Sequence, residues 1–130
     1  MSYNLSALDV VKLFNVNKIS PQHAWERAVK IQFPDSRSSR EKGCPKNIFL
    51  AICEEGKIKN IPPGKYTISK LNKQYALKAI EILGIYHGKE ITPSDLWHKV
   101  LEALNANNNK SHNSQMKIVL ALWNTSLIKP

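Results

Sequence analysis

The stretch Ser69–Gly84, SKLNKQYALKAIEILG, decides how the chain is read. At about 100° per residue, Leu71, Tyr75, Ala76, Ala79, Ile80, Ile82 and Leu83 fall on one half of a helix. Lys70, Lys73, Gln74, Lys78 and Glu81 fall on the other, with Leu77 as the apolar exception among them. Ser69 is a strong N-cap residue and Gly84 a natural stop. Such a helix has an apolar face that must be buried against other elements.

Working outward, the upstream segment GKIKNIPPGKYTI (Gly56–Ile68) is a connector built on a Pro-Pro-Gly turn, with room for one short extended segment around residues 57–67. Before it, CPKNIFLAICEEG (Cys44–Gly56) carries Pro45 in a first turn and Gly56 at a C-terminal cap. Its run from Ile48 to Cys53 is apolar on every side, which predicts a central helix; a buried strand is the alternative. Glu54 and Glu55 then sit at the negative end of the helix dipole, an unfavourable placement that nearby lysines such as Lys57 and Lys59 can offset.

Toward the N-terminus, Ser6 and Asp9 have capping-box spacing before Ala7, Val10, Val11 and Phe14, which predicts a helix from about Ser6 to Phe14. Ser20 and Pro21 open a second helix that Pro34 ends, with Trp25, Ala28 and Val29 inward. Toward the C-terminus, Thr92, Pro93 and Asp95 open a helix carrying Leu96, Trp97, Val100, Leu101 and Leu104. A last helix starts near Ser114, with Met116, Ile118, Val119, Leu120, Leu122 and Trp123 buried on two sides. The expected fold is therefore all-α: a single compact domain of five to six helices spanning residues 1–130. Mobile loops are expected at about 35–43 and 105–113.

A chain of 130 residues is one domain's worth. It is 42% hydrophobic and 22% charged, ordinary values for a folded domain. The charge balance is less ordinary, with 19 Lys+Arg against 10 Asp+Glu and a formal net charge of +9. Residues 37–78 hold most of the excess: ten Lys and Arg side chains face only Glu41, Glu54 and Glu55. Such a field attracts polyanions; a lysine-rich solvated surface is the plainer alternative. Lys65, Tyr66, Thr67, Ser69, Lys70 and Lys73 converge on one helix start, where backbone N–H groups and the dipole favour phosphate. Tyr66 can stack on a base or pack on the turn. Lys57, Lys59 and Lys78 extend the basic set. Base-reading side chains are sparse, so the surface suits contact with a nucleic-acid backbone rather than base readout.

Other chemistry finds little support. The phosphate-binding G-x-x-x-x-G-K-[ST] pattern fails at Lys59 and at Tyr66. His23, His87, His98 and His112 have no ligand partner at metal-binding spacing. The two cysteines, Cys44 and Cys53, are read as free thiols in a reducing cytoplasm, Cys53 as a buried small hydrophobe and Cys44 as the better candidate for reactivity. No cofactor or metal is expected. No apolar run approaches the ~20 residues that cross a bilayer, and no secretory signal pattern opens the chain.

Through CPKNIFLAICEEGKIKNIPPGKYTISKLNKQYALKAIEIL and HNSQMKIVLALW, about Cys44 to Trp123, the chain resembles a family of small bacterial proteins that is a domain of unknown function. The resemblance implies a bacterial cytoplasmic protein and transfers no activity and no site residue. Three expectations follow from the residues themselves. The first is a non-enzymatic basic module that binds a polyanion, nucleic-acid backbone foremost, through residues 37–78. The second is a protein–protein adaptor or regulatory protein docking through Leu77 and its neighbours. The third is a small enzyme using Cys44 or a histidine.

Overall fold

The computed structural model describes residues 2–17, 19–86, 89–106 and 115–129, with side chains for all of these except 15–17. Seven helices account for most of the described residues: α1 (Tyr3–Asn17), α2 (Pro21–Gln32), α3 (Arg37–Arg40), α4 (Gly43–Glu54), α5 (Lys70–Ile85), α6 (Pro93–Ala103) and α7 (Gln115–Asn124). Among those residues the extended backbone pairs only once, in an isolated antiparallel bridge between Ile58 and Ile128.

The capping residues read from the sequence do their expected work at three helices. The hydroxyls of Ser20, Ser69 and Thr92 accept from the backbone N–H groups of His23, Asn72 and Asp95. At α1 the expectation is corrected. The helix begins three residues earlier than Ser6, and Ser2 Oγ accepts from Leu5 N. Ser6 is fully buried, and its hydroxyl donates back to Ser2 O. Gly84 also fails as a stop. α5 runs through it to Ile85, because glycine permits a left-handed turn without imposing one. Within the segment read as a mobile loop, Arg37–Arg40 forms a one-turn helix capped by Ser36 Oγ on Ser39 N.

α4 lies at the centre. Ile48 to Cys53 are all buried, as a run apolar on every side requires. α4 packs on α2, α5 and α7, while α1 closes against α2 and α7, and α6 against α5 and α7. Aromatic rings lock two of these seams: Trp25 stacks on Phe49 with centroids 5.4 Å apart, and Tyr75 meets Trp97 edge-on at 4.8 Å. A buried amide pair joins the starts of α5 and α7, with Gln115 Nε2 donating to Asn72 Oδ1. Asn72 Nδ2 donates in turn to the capping hydroxyl of Ser69 at 3.0 Å. Leu71, which the helical wheel puts on the inner half, is 47% exposed. A wheel gives direction but cannot say whether a neighbouring element reaches the first turn.

α4 ends in a Schellman turn: Gly56 N donates to Cys53 O and Lys57 N to Ile52 O. Gly56 has φ +69°, and a Cβ there would lie 3.2 Å from Pro63 Cβ. Gly56→Ala should therefore cost about 1–2 kcal/mol of stability, read as a lower urea midpoint with an unchanged slope.

Candidate functional site

The basic segment is organised by a carboxylate. Glu54, in the last turn of α4, accepts on Oε1 from Tyr66 N at 2.9 Å and Thr67 N at 3.2 Å. Its Oε2 accepts from Lys73 Nζ at 2.8 Å, and the same ammonium reaches Glu55 Oε1 at 2.7 Å. One helix end thus gathers the connector's backbone and the first turns of α5. The Lys73 ammonium, followed by the two backbone N–H groups, lowers the Glu54 pKa from 4.5 to about 2. Lys73 is shifted upward by the same pairing, first with Glu54 and then with Glu55. The lysine that offsets these two acids is Lys73, nineteen residues from Glu54 in sequence, rather than the adjacent Lys57 or Lys59.

Tyr66, Thr67 and Ser69, also read at the start of α5, are likewise engaged. Tyr66 packs on the turn: its hydroxyl donates to Pro62 O at 2.7 Å, and its ring lies so close to Gly64 that a Cβ there would meet Cζ at 2.8 Å. Thr67 Oγ1 donates to Asn47 Oδ1 and accepts from Ser69 N, while Ser69 Oγ caps α5. Lys78 pairs with Glu81 at 3.0 Å on the outer face of α5. Lys65 and Lys70 are exposed.

A different basic grouping emerges at the Ile58–Ile128 bridge. Lys59 N donates to Leu127 O at 2.9 Å and Lys129 N to Lys57 O at 2.7 Å. Ile58 and Ile128 are buried, and a lysine flanks each of them in the paired segments. The antiparallel register puts Lys57 opposite Lys129 and Lys59 opposite Leu127. Among the described residues none of these three lysines is in an ion pair. Lys129 was missed in the sequence because it lies seventy-odd positions from Lys57, in a tail with no periodicity of its own.

The remaining sequence candidates stay apart. Cys44 is half-buried in the first turn of α4, and Cys53 is fully buried, its thiol pushed up by burial. His23 and His98 are exposed, and His87 and His112 lie outside the described residues. No group of three His, Cys, Asp or Glu among the described residues has metal-binding geometry. No helix among them is long and apolar enough to cross a membrane.

The chain matches the model of a family described as "Family of unknown function (DUF6979)" over residues 1–129. It belongs to that family. The match takes in α1 and α2 as well as the stretch through which the sequence resembles an uncharacterised family. No curated protein and no solved structure matches this DUF6979 member.

The Glu54 knot gives the DUF6979 chain a defined acid sensitivity. A carboxylate whose folded pKa lies below its unfolded value stabilises the fold above the unfolded pKa and loses that contribution as pH falls through the folded one. Stability should decline as pH drops from 4.5 toward about 2. In Glu54→Gln that decline should be visibly shallower, measured by urea unfolding across the range.

Proposed function

We propose that this chain is a non-enzymatic module that binds a polyanion, nucleic-acid backbone foremost, through lysines of the connector and the C-terminal segment. The observation that carries this reading is the Lys57–Lys129 pair. Like charges directly opposite on a ribbon repel and destabilise it. Here they stand with Lys59 beside them and no described acid in ion-pair contact. A phosphate chain supplies the missing counter-charge. Lys65 and Lys70, exposed along the same connector and at its junction with α5, extend the basic path. Lys73, Tyr66, Thr67 and Ser69 support the path by holding the connector in place, and Lys78 stands in a pair of its own.

Phosphate contacts by lysine carry affinity without sequence preference and weaken linearly in log–log terms with salt. Fluorescence anisotropy against duplex DNA, single-stranded DNA and RNA should show binding with such a slope. Lys57→Ala and Lys129→Ala should each reduce the slope by about 1. Lys12→Ala, an exposed change on α1, should leave it unchanged. Absence of binding to all three at low salt would refute the reading.

A second reading, a protein partner, rests on Ile68 and Leu71. Ile68 is fully exposed at the end of the connector and Leu71 nearly half so. Leu77, the residue singled out from the helical wheel, is itself half-buried. An apolar contact on this side would centre on Ile68. If the chain self-associates there, Ile68→Ser should shift a sedimentation profile toward monomer; a wild-type chain that is monomeric at all concentrations excludes that form of it.

A further inference from the structure

We propose that the cleft between α2, α3 and the first turns of α4 is a binding site for a small molecule carrying an oxyanion, a carboxylate or a phosphate ester. The cleft encloses about 410 Å3, and Trp25, Lys30, Arg37, Arg40 and Lys46 line it. That volume lies within the range of small-molecule sites.

Three observations converge there. The first is an unpartnered donor. Trp25 is 1% exposed, and its indole Nε1–H is buried without a hydrogen bond among the described residues. A buried donor left without an acceptor is costly, and Trp25 is one of the residues that line the cleft, so a ligand acceptor that reaches the indole from there would relieve that cost. The second is a pinned arginine. Arg40 Nη1 donates to Phe33 O at 2.9 Å and to Pro34 O at 2.8 Å. These bonds close the end of α2 and hold the guanidinium still, while its Nε and Nη2 donors make no hydrogen bond within the described residues. A fork of fixed N–H groups suits carboxylate or phosphate better than a mobile ammonium does. The third is the end of α4 that the cleft borders through Lys46. The N-cap of this twelve-residue helix, Lys42, makes no side-chain capping bond, and the helix dipole adds positive potential at this end.

Charge agrees with this arrangement. Glu26 and Glu41 stand among the lining residues against four cations, and Glu41 is already held by Arg37 Nε at 3.1 Å. Lys30 and Lys46 are in no ion pair among the described residues. The site shares no residue with Lys57, Lys59 and Lys129, so it stands or falls separately from the polyanion reading.

The test follows the Trp25 indole N–H resonance of the 15N-labelled full chain during titration with inorganic phosphate and, separately, with acetate, at ionic strength held constant with sodium chloride. The resonance is assigned by its loss in Trp25→Phe, or by elimination with Trp97→Phe and Trp123→Phe if the first variant does not fold. It should move saturably while the other two indoles do not. Lys46→Gln and Lys30→Gln should each weaken the titration by about three- to tenfold, and Lys57→Ala should leave it unchanged. Saturation with phosphate alone identifies a phosphate-ester ligand, and saturation with acetate alone a carboxylate. No saturable movement with either, or equal movement of all three indoles, overturns the proposal.

Discussion

The Glu54 carboxylate is the constraint around which the basic half of the molecule is arranged. It stands at the C-terminal end of the central helix, where the dipole disfavours negative charge. Three donors make the position tolerable: two backbone N–H groups of the connector and the Lys73 ammonium. Each of them fixes something else. The Tyr66 and Thr67 amides set the path of the connector beyond its bridge at Ile58. Lys73 sets the angle at which α5 leaves that segment and packs on α4. An acid that looks misplaced in one helix is thus the anchor of the next.

The same arrangement sorts the lysines into two kinds. Those near acids, Lys73 and Lys78, are consumed within the fold. Those on the ribbon formed by the connector and the C-terminal segment are left facing one another. Among the described residues no acid is in ion-pair contact with them. The cleft beside Trp25 follows the same logic on a smaller scale. The buried Trp25 donor and the Nε and Nη2 donors of Arg40, whose Nη1 is held by two carbonyls, have no partner among the described residues.

Most helices were legible because their signals are local. Ser20, Ser69 and Thr92 cap as serine and threonine do wherever three residues of helix follow, and the apolar stripes of α2, α6 and α7 lie where 3.6-residue periodicity puts them. The misreadings arose where a local signal had a competitor. Ser6 has capping spacing, yet Ser2 caps first and Ser6 goes inward. Leu71 has the right angle on the wheel but no neighbour to cover it.

Composition and periodicity, which act over a few turns, were enough for the all-α class, the burial of Ile48–Cys53 and the basic bias of residues 37–78. Which charges are paired among the described residues depends on packing. Glu54 meets Lys73 and Lys57 meets Lys129 across long sequence separations, after helices have packed, and the same packing leaves the Trp25 N–H without an acceptor. Pairing of polar groups depends on distances of about 3 Å, and nothing in a linear pattern specifies distance between remote residues.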